Sequence, residues 1–159
     1  EACQAFFDTY PDARLIWIHR DPVQVTASRI AMAATLTRAF SRGPVDAQEQ
    51  AAIHLAATRA GISDTLANPM VDDSRIYHVR YPDFIRDPID TIGSFYYFSG
   101  LSLTAQAEQA MRNYLSDNRG DRYGKFIYST DMIGVDIAAL NREFAPYRDR
   151  FGLDIETRQ

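Results

Sequence analysis

Short apolar runs alternate with longer segments of helical period along this chain. Residues 14–19 are a nearly continuous run of apolar, β-branched and aromatic side chains, which predicts a strand buried on both faces. Residues 75–81 alternate polar with apolar or aromatic side chains, as is typical of a second strand. The segments between and after these strands have helical spacing. This order predicts an α/β fold with a parallel sheet flanked by helices.

Capping residues indicate where the predicted helices begin. Asp21 can cap free amides and Pro22 fits the first helical position, so a helix is expected from there to about Phe40. Its inward stripe is predicted to carry Ser28 together with Val25, Met32, Leu36 and Phe40. Further helices are expected near residues 1–10, 46–66 and 87–100, and after the capping residues Thr104 and Asp136.

Two strands are fewer than the roughly five or six of a usual sheet. The chain also begins within what looks like the end of an amphipathic helix, so we expect a fragment whose missing N-terminal strands precede Glu1. Its 159 residues, 46% of them hydrophobic and 24% charged, suit one globular domain.

Charge and cysteine content exclude several function classes. With 17 basic and 21 acidic residues the net charge is −4, which argues against a surface for nucleic acids or anionic membranes. The only cysteine, Cys3, cannot form an internal disulfide, and a reducing cytoplasm fits best. No histidine–cysteine cluster has zinc-site spacing, and no apolar segment approaches the roughly 18 residues of a membrane span.

Arg20 is the first candidate for binding chemistry. Ligands of open α/β sheets bind beyond the carboxyl ends of the strands, and Arg20 follows the first strand directly. Its planar guanidinium suits phosphate oxygens, the next helix offers free amides, and Ser28 lies on that helix. Alternatively, Arg20 pairs with an acidic neighbour and Ser28 bonds to its own helix.

Three segments together resemble one enzyme family. Residues 18–28 (IHRDPVQVTAS) resemble the 3′-phosphate-binding motif of sulfotransferases that use 3′-phosphoadenosine-5′-phosphosulfate (PAPS). Residues 79–84 (VRYPDF) resemble the segment in which a tyrosine lies against the adenine, and residues 121–129 (DRYGKFIYS) the basic loop over the 3′-phosphate. The segments occur in the family's order, are most similar to its bacterial branch and cover nearly the whole chain.

The resemblance implies a P-loop-like sulfotransferase fold, with residues 1–159 as the C-terminal portion of a single domain. It implies transfer of a sulfuryl group from PAPS to an acceptor hydroxyl or amine, with release of 3′,5′-ADP (PAP) and without a metal. The implied nucleotide-binding residues are Arg20, Ser28, Tyr81, Arg122, Gly124 and Lys125. The family usually has glutamate at position 82, and Pro82 is expected to hold Tyr81 in an extended conformation.

Several parts of such an enzyme are not predicted in this chain. No segment matches the glycine-lysine-serine/threonine loop for the 5′-phosphosulfate, so this fragment alone is expected to be inactive. No catalytic base is assigned, and His19 is expected to have a core or backbone-orienting role. The acceptor, whether a small molecule, carbohydrate or glycolipid, and the oligomeric state stay open. Two alternative functions also stay open, namely a nucleotide-kinase-like enzyme that needs magnesium and a non-catalytic interaction module.

Overall fold

The structure, a computed structural model, describes residues 2–40, 43, 46–118 and 128–156. Helices predominate over a small sheet in this part of the chain. In order, the elements are α1 (Ala2–Thr9), β1 (Leu15–His19), α2 (Pro22–Phe40), α3 (Ala47–Ala67), β2 (Ile76–Arg80), α4 (Tyr81–Arg86), α5 (Pro88–Phe98), α6 (Ala105–Asp117), α7 (Ile137–Glu143) and α8 (Ala145–Phe151). Short 3₁₀ turns lie at Pro69–Asp72 and Thr130–Ile133.

The chain divides into two compact units. The first contains residues 1–19 and 69–126, and the second contains residues 20–68 and 127–159. In the first unit β1 and β2 pair in parallel, with register from Leu15 opposite Ile76 to His19 opposite Arg80. Both predicted strands and their parallel pairing are therefore confirmed, and the chain is an α/β protein with a small parallel sheet.

Strand β1 is less buried than its sequence predicts. His19 is buried, but Ile16 and Ile18, which point to the opposite face, are both exposed. Ile16 is 41% exposed and Ile18 is 51% exposed. The prediction that β1 is buried on both faces is therefore wrong for this structure.

Helix α2 packs through a different face from the predicted one. The expected inward stripe is exposed, at 53% for Met32, 49% for Leu36 and 86% for Phe40. The buried positions instead include Val23, Ala27, Ile30 and Ala31. Alanine adds little to an apolar pattern but lets two backbones approach closely, and α2 packs here against α3 and the turn at Thr130–Ile133.

The predicted caps are confirmed, whereas one predicted helix is divided in two and one observed helix was not predicted. The side chains of Asp46, Asp87, Thr104 and Asp136 each accept a hydrogen bond from an amide in the first turn of the helix that follows. The last predicted helix is divided into α7 and α8 at Phe144, because Pro146 has no amide hydrogen to continue the ladder. Helix α4 was not predicted.

Among the described residues, no helix combines the length and the apolar character needed to cross a membrane.

Candidate functional site

Arg20 lies between the end of β1 and the start of α2, and its guanidinium holds a carboxylate. Its Nε donates to both oxygens of Glu156, at 3.0 Å to Oε1 and 3.1 Å to Oε2, and its Nη2 donates to Oε2 at 2.8 Å. The same Nη2 lies 3.3 Å from the hydroxyl of Tyr128. Arg20 thus grips an oxyanion with two nitrogens of its planar fork, the geometry that suits carboxylates and phosphates.

The backbone of Glu156 is fixed independently of its side chain. Its amide donates to Asp21 Oδ2 at 3.0 Å, and its carbonyl accepts from Gln24 Nε2 at 3.0 Å. Asp21 and Gln24 are both buried at the start of α2. The C-terminal residues are therefore tied to the same turn of chain from which Arg20 projects.

Asp21 is itself held by a buried arginine. Its Oδ1 accepts from the amide of Val23 at 3.2 Å, as predicted for a helix cap, and from Arg148 Nη1 at 3.2 Å. Arg148 also donates to the carbonyl of Asn141 through Nη2. Buried charges are stable only when paired and hydrogen-bonded. A chain of polar contacts thus joins Arg148, Asp21, Glu156 and Arg20.

Ser28 differs from Thr26 and Thr35, two other hydroxyl residues of α2. Thr26 and Thr35 donate back to carbonyls four residues earlier, at 2.7 Å and 2.9 Å. Ser28 is half-buried and makes no hydrogen bond to a described residue. Of the alternative reading, the pairing of Arg20 with an acidic residue is found, whereas a bond from the Ser28 hydroxyl to its own helix is not. The Ser28 hydroxyl can therefore accept or donate a bond to a ligand.

Tyr81 belongs to the first unit, where it is the first residue of α4. The expected extended conformation is wrong, because Pro82 occupies the first turn of that helix, where its missing amide hydrogen costs nothing. Tyr81 directly follows Arg80, the last residue of β2.

The basic loop, residues 121–129, contains three of the predicted nucleotide-binding residues. Arg122, Gly124 and Lys125 lie outside the described residues. Tyr128 is the first described residue after them, and its hydroxyl contacts Arg20. The C-terminal end of this loop, at Tyr128, therefore lies beside Arg20.

His19 has a structural role in the first unit. Its Nε2 lies 2.7 Å from Nδ1 of His78, whose Nε2 lies 2.7 Å from the carbonyl oxygen of Val71. A carbonyl only accepts, so His78 carries its proton on Nε2 and accepts from His19. Trp17 stacks on both imidazoles. Burial, and secondarily the charge of His78, lower the pKa of His19 to about 4.

A pocket opens beside these polar contacts within the second unit. It has a volume of about 430 Å³ and is lined mainly by polar residues at the start of α2, from Tyr128 to Thr130, in α7 and in the C-terminal residues. Two of the residues around Arg20, Tyr128 and Glu156, therefore also border open space.

Sequence reasoning missed the partners of Arg20. Glu156 is 136 positions away and Tyr128 is 108 positions away. Glu156 stands in a short C-terminal segment without a motif, so no local pattern marks it. Tyr128 does lie within the segment that resembles the family's loop, and that resemblance was the one available signal.

Comparisons with known proteins identify the family. The family model described as "Sulfotransferase family" matches residues 1–105. A solved structure, the sulfotransferase STF9 from Mycobacterium avium, matches with a TM-score of 0.81 and 31% identity over 99% of this chain. The match spans 41% of that chain, so this chain corresponds to less than half of its length. The comparison with curated proteins gave no match. The chain belongs to the sulfotransferase family.

Proposed function

We propose that this chain contributes the nucleotide 3′-phosphate grip of an enzyme that transfers a sulfuryl group from PAPS to an acceptor. In this reaction an acceptor hydroxyl or amine forms a bond to sulfur while the bond between sulfur and the bridging phosphate oxygen breaks. The acceptor loses a proton and PAP leaves. The acceptor class we propose is a small molecule, a carbohydrate or a glycolipid.

The observation that carries this proposal is the oxyanion already held by Arg20. Two guanidinium nitrogens contact both oxygens of one carboxylate at the carboxyl end of β1. A phosphate presents oxygens of the same kind, and Arg20 stands at the arginine position of the family's 3′-phosphate motif. The residues present therefore fit a phosphate group.

The assigned residues fall into three groups, each with its own task. Arg20 and Ser28 would bind the 3′-phosphate, the group that distinguishes PAPS and PAP from ordinary adenine nucleotides. Tyr81 would lie against the adenine, and Arg122, Gly124 and Lys125 would close over the 3′-phosphate end. These residues orient the nucleotide rather than react, so their contribution to the rate is positional.

The test is calorimetric titration with PAP and with 5′-AMP, without magnesium. We expect a clear preference for PAP, and Arg20→Ala should weaken PAP binding by at least tenfold, because charge-assisted hydrogen bonds contribute about 1.5–3 kcal/mol each. Binding of 5′-AMP should change little. Equal weakening of both ligands would contradict the assignment of Arg20.

The matched control is Arg59→Ala. Arg59 forms a two-pronged ion pair with Glu143 in the same unit, at 2.6 Å and 2.8 Å, so its loss also leaves a glutamate unpaired. PAP binding should be unchanged in this variant. If a longer form of the protein binds ATP with magnesium and not PAP, the sulfotransferase proposal fails and a kinase-like function replaces it.

A further inference from the structure

The carboxylate on Arg20 occupies the edge that a phosphate would need. A guanidinium grips an oxyanion with two parallel bonds either through Nε and Nη2 or through Nη1 and Nη2, and both modes require Nη2. Here Nη2 is engaged by Glu156 Oε2 at 2.8 Å and by the Tyr128 hydroxyl at 3.3 Å. An incoming phosphate therefore meets an arginine whose shared nitrogen is already in use.

The position of Glu156 is fixed by hydrogen bonds to its backbone and does not depend on its side chain. Asp21 and Gln24 hold its backbone amide and carbonyl, and Asp21 is anchored in turn by Arg148. The carboxylate is consequently presented to Arg20 at a high effective concentration. It can also leave by rotation of its side-chain torsions alone, because no backbone contact depends on it.

We propose that Glu156 is an internal competitor for the nucleotide, a tethered carboxylate that the 3′-phosphate displaces from Arg20 on binding. This inference rests on the proposed function and adds a regulatory contact to the same site. A phosphate monoester carries a charge of about −1.5 to −2 near neutral pH, against −1 for a carboxylate, so it can win this exchange. Glu156 prevents an anion with a single negative charge from binding to Arg20, unless that anion makes further contacts with the protein.

The decisive variant is Glu156→Gln, which keeps the shape of the side chain and removes its charge. The backbone contacts to Asp21 and Gln24 are retained, so the C-terminal residues stay in place. We expect calorimetric affinity for PAP to increase by about tenfold, the scale of one lost charge-assisted contact. If Glu156 instead orients Arg20 for the nucleotide, affinity will fall, and that result overturns the proposal.

Glu143→Gln is the matched control, because Glu143 grips Arg59 with both oxygens in the same unit. It should leave PAP affinity unchanged, and an increase equal to that of Glu156→Gln would show a general charge effect and overturn the proposal. Should Glu156→Gln fail to fold, Glu156→Asp provides the second variant. It retracts the carboxylate by one methylene and should give a smaller increase, whereas no increase or a decrease overturns the proposal.

The outcomes separate this inference from the proposed function. If wild type prefers PAP over 5′-AMP and Arg20→Ala removes the preference, the 3′-phosphate grip stands whatever Glu156 does. If Glu156→Gln then binds PAP as tightly as wild type or more weakly, only the proposal that Glu156 competes with the nucleotide is overturned. If wild type and Glu156→Gln both fail to prefer PAP over 5′-AMP, the grip and the competitor are both overturned.

Discussion

Arg148 and Asp21 form an ion pair inside the second unit, with Nη1 and Oδ1 3.2 Å apart and side chains that are only 5% and 1% exposed. Asp21 also accepts a hydrogen bond from the amide of Glu156, and Arg148 also donates to the carbonyl of Asn141. The pair therefore joins α8, α7, the start of α2 and the C-terminal residues. It supports Arg20 through the position of Glu156.

Arg148→Met should lower the free energy of unfolding by about 3–5 kcal/mol, because it leaves the carboxylate of Asp21 buried without its counterion. Urea denaturation measures the change. Arg59→Met is the control, since the exposed pair of Arg59 with Glu143 should contribute no more than about 1 kcal/mol. Similar losses in the two variants would mean that burial of the Asp21 pair does not matter.

Ala27→Leu should destabilise the second unit, because Ala27 is fully buried in the cluster that joins α2 and α3. Overpacking of this kind costs about 1–3 kcal/mol. By contrast, Leu36→Ser on the exposed face should stay within about 0.5 kcal/mol. Thermal unfolding of both variants decides which face of α2 is inward, and the opposite order would restore the face predicted from sequence.

The stability of the protein should fall as the pH is lowered from about 6.5 to about 4. Burial lowers the pKa of His19 to about 4, so between these values the unfolded chain binds a proton that the folded chain does not. The loss should be on the order of 3 kcal/mol. His19→Gln, which can still donate to His78, should flatten this part of the pH profile, and an unchanged slope would assign the effect to other groups.

Ser28→Ala should weaken PAP binding without changing stability. The hydroxyl makes no hydrogen bond to a described residue, so its removal costs the fold nothing, whereas a lost bond to the charged phosphate costs about 1.5–3 kcal/mol. Calorimetry with PAP and a melting curve test the two halves of this prediction. A lower melting temperature with unchanged affinity would make Ser28 a structural residue.

Tyr81→Ala should weaken PAP and 5′-AMP by the same factor, because both ligands carry the adenine. Loss of one base–aromatic stack costs about 1–3 kcal/mol. Tyr81→Phe should bind both ligands as wild type does. Tyr97→Ala removes an 86% exposed tyrosine of the same unit and serves as the control. If only PAP binding falls in Tyr81→Ala, the tyrosine contacts the phosphate end and not the base.

Much of the fold could be predicted because its signals are local. Asp21-Pro22, Asp46, Asp87-Pro88 and Asp136 mark helix starts through hydrogen bonds that span two or three residues. The inward face of α2 was missed because larger residues such as Met32 and Leu36 outweigh alanines in an apolar pattern. In the structure close packing against α3 favours the alanines.

The site was predictable only in part. Its position directly after a strand makes Arg20 an anion-binding candidate. The resemblance of residues 18–28 to the family's motif indicates the same residue independently. Its pairing with Glu156 depends on how the chain folds back over more than a hundred residues, and the same holds for Arg148 and Asp21. Contacts of this range leave no pattern in a single sequence.

The stacking of Trp17 on His19 and His78 also gives the protein its own optical probe. Trp17 is the only tryptophan, with ring centroids 5.6 Å and 6.0 Å from the two imidazoles. An imidazolium quenches indole fluorescence more strongly than a neutral imidazole does. The emission of the unmodified protein will therefore report proton uptake by His19 as well as separation of the two strands, without any added label.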